Sequence, residues 1–273
     1  MENRSKYSGS RVQEVKKPFL TGSTLDENTL KNSAKFFGLY IMITFVSFIA
    51  CSSSTFGGDI LRFVLNILII GVILMLFFNF GSGKGAEAVS RGEILYQKQE
   101  KGQFISVGEK KICFHKLKGF AISLIGMIPM LIPAIMLAFC TTLQTTDSGT
   151  LPSWMQSYIR RSDIGNALVN YTQPVGMQFT DYLRAFVRIC LLPFVNLIGY
   201  TNKTGLLIME RLSPVLLLLP AAAYGIGYLS GRSIRTRIHT TISENDKKRI
   251  RREKKRQKIR SRTVQHREPE QLN

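Results

Sequence analysis

Four stretches of this chain run for about the length of a bilayer-spanning helix with almost no formal charge: residues 36–56, 60–80, 119–143 and 212–231. The second is uncharged from Phe63 onward, with Arg62 just inside its start. A hydrocarbon core is crossed by roughly 20 apolar residues in helical form, because lipid offers no partner for an unpaired backbone N–H or C=O. The pattern therefore predicts an all-α integral membrane protein with about four transmembrane helices. The first stretch begins only at Phe36, after a polar segment too long for the n-region of a secretory signal, and is expected to remain as an anchor.

Charge orients the spans. Lys and Arg near span ends are retained on the cytoplasmic side. Region 1–35 holds seven basic and four acidic residues, 81–118 holds eight and four, and 232–273 holds fifteen and five. The intervening regions are net acidic, with one acidic residue and no basic one in 52–59, and three acidic against two basic in 143–181. The alternation predicts a multi-pass protein of the cell membrane with its N-terminus and C-terminus both cytoplasmic, a bacterial cytoplasmic membrane being the expected host. Segment 185–201 is a different case. Its uncharged part is about 13 residues long, follows Arg184 and Arg188, and contains Pro193 and Asn196. A fifth crossing there would place the basic tail outside, so this segment is read as re-entrant or interfacial.

This division reconciles an apolar content of 45% with a net charge of +19, since 15 of the 37 Lys and Arg residues fall between Arg232 and the C-terminus. Residues 1–35 form a cytoplasmic N-terminal segment, 36–231 the membrane bundle, with a cytoplasmic loop at 81–118 and an external loop at 143–184, and 232–273 a basic cytoplasmic tail. The four cysteines, Cys51, Cys113, Cys140 and Cys190, lack the CxxC spacing of zinc or thiol-exchange sites, although Cys51 and Cys140 would lie at the same face and a bridge between them stays open.

The connecting pieces carry weaker signals. Ser52 to Asp59 is a small polar turn that would join spans one and two as a hairpin. Arg62 reads as an interface anchor. Gly81-Ser82-Gly83-Lys84-Gly85 lacks the GxxxxGK[ST] of a phosphate loop and follows a membrane helix, so it is read as a flexible linker. The rest of 81–118 suffices for a small helix or hairpin. Leu151, Trp154, Met155 and Tyr158, then Ile164, Ala167, Leu168 and Tyr171, fall at amphipathic helical spacing and suggest helices on the outer membrane surface or capping the bundle.

Within the spans, Gly126, Pro129 and Pro133 predict a bend or break, because each proline lacks an N–H and disturbs the carbonyl four residues before it. Broken helices build substrate sites in transporters. Ala223, Gly227 and Gly231 form a small-xxx-small series suited to close helix packing, within the bundle or against a partner membrane subunit. The tail is expected to be disordered or helical, and its Lys247, Lys248, Arg249, Arg251, Arg252, Lys254, Lys255 and Arg256 are the candidate residues for an anionic partner. Anionic lipid headgroups are the first expectation, at about 1 kcal/mol per basic residue near the surface, with RNA or the ribosome and acidic protein as alternatives.

Enzyme chemistry finds no support. His115, His239 and His266 form no HExxH motif, no GxSxG is present, and no cofactor or metal motif occurs. In size and basic tail alone the chain resembles the Oxa1-type membrane insertases, which implies a tail that meets the ribosome; the likeness assigns no family. The sequence thus points to a non-enzymatic transport-type or accessory membrane subunit, with a membrane-anchored docking protein as the alternative.

Overall fold

The computed structural model describes residues 14–53, 59–143 and 177–265, with isolated positions at 155, 158, 161, 163 and 164. The regular structure among these residues is all helical, with no strand. The helices are α1 (Thr29–Ser53), α2 (Asp59–Glu100), α3 (Val107–Ile112), α4 (Lys118–Cys140), α5 (Phe179–Cys190), α6 (Leu192–Ile198) and α7 (Lys203–Gln265). Four of them, α1, α2, α4 and α7, are long and apolar enough to span a membrane.

Their directions alternate. Phe77 of α2 packs on both Phe36 and Tyr40 of α1, and Cys51 near the end of α1 donates to Asn66 near the start of α2, so the two are antiparallel. Ser123 and Ala134 of α4 meet Ala221 and Ser213 of α7 in reverse order. Consequently α1 and α4 run one way, α2 and α7 the other. One end of the bundle, termed basal here, holds the start of α1 and the C-terminal halves of α2 and α7; the opposite end is apical. The N-terminal segment stays basal, where Val15 N–H donates to Thr240 at 3.1 Å and so lies against the C-terminal half of α7.

The bundle is apolar inside and out: a core that includes Phe36, Phe77, Met127 and Leu217 is surrounded by apolar outward faces. Its buried interior includes Asn66, Ser123 and Ser213, whereas the outward faces carry exposed Phe45, Ile49, Ile67, Val72, Met75, Ile128, Ile132, Val215 and Leu219. Soluble monomers rarely leave so continuous an apolar surface uncovered. On α2 the exposed apolar run from Ile60 to Phe78 rises about 27 Å, close to the thickness of a hydrocarbon core.

Two expectations from the sequence are corrected. Gly81 to Gly85 is not a flexible linker: α2 continues through it to Glu100. The reason is packing. A Cβ on Gly81 or Gly85 would strike the backbone of Tyr224 or Tyr228 of α7, and one on Gly227 or Gly231 would strike the backbone of Phe78 or Gly85 of α2. Glycines spaced by four on both helices thus let two parallel backbones touch. Beyond this contact α2 and α7 run on as a basal stalk, strapped by the N-terminal segment through Leu20 N–H to Gly92 C=O at 3.1 Å and Gly22 N–H to Phe114 C=O at 2.9 Å.

The second correction concerns only the break in α4, since the helix is continuous through Gly126, Pro129 and Pro133. Pro129 is exposed and Pro133 half-buried, so the backbone groups they disturb are not gathered in the bundle interior. Gly126 is buried instead against α1, where an added Cβ would come 2.8 Å from Ser33 C=O and 2.9 Å from the Phe36 ring. The bridge left open between Cys51 and Cys140 is absent: both are free thiols, Cys51 buried and Cys140 exposed.

The basic block is helical, since α7 reaches Gln265. Of the two external amphipathic patterns, all but Met155, Tyr158 and Ile164 lie outside the described residues, and Met155 is buried.

Candidate functional site

Helices α5 and α6 form the irregular part of the bundle. Asp181 in the first turn of α5 accepts from the Gln178 N–H at 2.9 Å, which fixes where that helix starts. The helix ends at Leu191, after which Pro193 in the first turn of α6 redirects the chain, and Gly199 at φ 85° terminates α6 in a conformation that favours glycine. Val187 and Leu191 belong to the main core with Tyr40, Ala134 and Leu217, while Val195 and Asn196 are buried farther along. Both ends of this hairpin sit apically. Arg184 reaches Thr141 and Thr142 past the end of α4, and Gly199 lies beside Arg62 near the start of α2.

A buried charge network holds the hairpin. Glu210 of α7, 1% exposed, accepts at one carboxylate oxygen from Arg188 Nε at 2.8 Å and Nη2 at 2.5 Å, and at the other from Arg184 Nε at 3.2 Å. Thr141 donates its hydroxyl to that second oxygen. Arg184 is satisfied further by Thr142 C=O at 2.6 Å and Asp181 at 3.3 Å. Two arginines and two carboxylates balance, as a charge set withdrawn from water requires. Chemically the network is a clamp. Both Glu210 oxygens are occupied by donors, which leaves the carboxylate no open position as a general base.

Sequence reasoning bounded the fourth span at residue 212 and so stopped two residues short of Glu210. The signal available was Arg184 and Arg188 at i, i+4 on one face of a segment otherwise rich in apolar residues, followed by a single acidic residue at the head of an apolar span.

A second buried ion pair closes the basal end. Lys118 at the start of α4 donates to Asp26 at 2.7 Å and to the carbonyls of Lys111 and Ile112, each at 3.1 Å, with both side chains almost fully buried. Burial alone would raise the Asp26 carboxyl, but the Lys118 ammonium and the Thr29 hydroxyl outweigh it and hold the group below its ordinary value. Farther along the stalk, Glu93 of α2 accepts from Arg235 at 2.9 Å and contacts His239 at 2.8 Å on α7.

Of the sequence-derived sites, Gly227 and Gly231 face α2, and Ala223 packs against the main core. Gly126, Pro129 and Pro133 contribute nothing to the Glu210 network. Lys247, Lys248, Arg249, Arg251, Arg252, Lys254, Lys255 and Arg256 are all exposed on α7. No cluster of three or more His, Cys, Asp or Glu suited to a metal occurs among the described residues. No protein-family description, characterised protein or solved structure matches this chain.

Proposed function

We propose that this protein is a non-enzymatic, transport-type or accessory subunit of the cell membrane, inserted through α1, α2, α4 and α7 with both termini cytoplasmic. In this reading α5 and α6 are a re-entrant hairpin, and Glu210 is the lock that keeps it seated. The observation that carries it is the hairpin's clamp, a turn of irregular backbone buried among four apolar helices and tied by Arg184 and Arg188 to one glutamate. Non-helical backbone at membrane depth is tolerated only where protein or a water-lined cavity covers it, and such broken segments are where membrane proteins gate and bind.

The test is reconstitution of the full chain and its Glu210→Gln variant in liposomes loaded with an ion-sensitive dye. Wild-type protein keeps the vesicles tight, and the variant, with a weaker clamp, passes ions. If neither passes ions, the transport arm falls and the accessory role stands alone.

One observation favours the docking reading. Lys247 lies 15 residues beyond Arg232 on an uninterrupted helix, about 22 Å along its axis, which is more than two Debye lengths at physiological salt. A block carried so far from the headgroups suits ribosomal RNA or an acidic protein better than the lipid of its own membrane. Deleting 247–273 then abolishes the cellular role while leaving the bundle intact, whereas a transport subunit survives the deletion.

A further inference from the structure

At the basal end a cavity of about 210 Å³ opens between the start of α1, the stalk portion of α2 and the head of α4. That is room for roughly seven waters. Its lining is strongly cationic: Lys31, Lys35, Lys84, Arg91 and Lys118 face it, against only Asp26 and Glu87. The two acids are already engaged. Asp26 pairs with Lys118 at 2.7 Å, and Glu87 with Lys84 at 2.9 Å and Arg91 at 2.6 Å. Lys31 and Lys35, both exposed and one helical turn apart on α1, have no ion-pair partner among the described residues.

The inner wall includes an aromatic residue with a buried hydroxyl. Tyr228, 2% exposed, lines the cavity with its hydroxyl buried beside the backbone of His115, without a well-formed hydrogen bond to any described residue. Its position is specific. Tyr228 stands 18 residues after Glu210 on α7, about 27 Å along the axis, so the clamp and the cavity are one hydrocarbon thickness apart.

We infer that this cavity binds a phosphate group, with Lys31 and Lys35 as its charge partners. Lys84 and Arg91 supply the remaining positive field. A phosphate offers the several acceptor oxygens that such a set of donors can share. Its source is either the headgroup of an anionic phospholipid entering sideways or a phosphate-bearing solute from the basal side. The headgroup depth rests on the membrane reading above; the phosphate chemistry does not.

The experiment titrates purified full-length protein in neutral detergent with water-soluble dioctanoyl phosphatidic acid, dioctanoyl phosphatidylcholine and inorganic phosphate, following thermal unfolding. Phosphatidic acid raises the unfolding temperature saturably and phosphatidylcholine does not. The Lys31→Gln/Lys35→Gln double variant weakens the apparent affinity about tenfold or more. A response to phosphatidic acid alone identifies the lipid source, and an equal response to inorganic phosphate identifies the solute. Equal affinity in the wild type and the double variant overturns the inference, as does loss of binding on deleting 247–273, which would move the site to the tail. Since the titration needs neither liposomes nor ion flux, its failure is separable from that of the clamp.

Discussion

Arg188 gives both its Nε and one Nη to a single carboxylate oxygen of Glu210, at 2.8 and 2.5 Å, and so ties the short helix α5 to the first turns of the longest helix in the protein. The pair is unequal. Arg188 keeps some exposure, whereas the Glu210 side chain is only 2% exposed and depends wholly on its partners.

Removing one side of such a pair leaves an uncompensated buried charge, which costs about 3–5 kcal/mol. Arg184→Ala and Arg188→Ala should each lower the unfolding temperature of detergent-solubilised protein. Because Arg184 is the more deeply buried of the two, its loss should be the more damaging. An unfolding temperature unmoved in both variants would show that the network bears no load.

The glycine contact between α2 and α7 makes a paired prediction. Gly85→Leu forces a side chain into the backbone of Tyr228 and should cost about 1–3 kcal/mol or more, visible as aggregation on size exclusion. Gly83, two residues away, has nothing within 4 Å of an added Cβ. Gly83→Ala should therefore stabilise the helix by up to about 1 kcal/mol. Equal tolerance of the two substitutions is incompatible with close packing.

The Lys118 pair with Asp26 predicts a pH dependence of definite sign. The Asp26 carboxyl is held below its ordinary value of 3.8, so its contribution to stability is complete above that pH and is lost as pH falls through the lower, folded value. Unfolding followed from pH 7 down to about pH 3 should show wild type losing stability at the acid end. Asp26→Asn should start lower and change less there. Parallel profiles for the two proteins would remove the pair from the account.

Sidedness is checked with an impermeant maleimide on intact cells, using single introduced cysteines in a chain whose four native cysteines, Cys140 exposed among them, are replaced by serine. Met177→Cys, at an exposed position ahead of α5, should label readily, whereas Gln257→Cys in the basic block should label only after permeabilisation. Labelling of the tail in intact cells would invert the proposed orientation.

What the sequence revealed and what it concealed divide along the range of the interaction. Uncharged length is local, so the four long apolar helices were legible from composition alone, and the exclusion of charge from them followed from the same rule. The Glu210 clamp was not legible, because its members lie on α4, α5 and α7 and their neighbouring residues say nothing about which carboxylate meets which arginine. Gly81 to Gly85 was misread for a related reason. Glycine and serine favour a linker when taken alone, and only the backbone of Tyr224 and Tyr228 lying against them makes helix the better state.

The sequence by itself determined that this chain forms four helices long and apolar enough to span a membrane, since backbone pairing and uncharged length act on each segment independently of the rest. Only the tertiary structure decided where the charges went. It turned Pro129 and Pro133 away from the interior, seated a helical hairpin among the four long helices, and brought Glu210 to its two arginines, because the stability of a buried charge depends on partners that chain order does not specify.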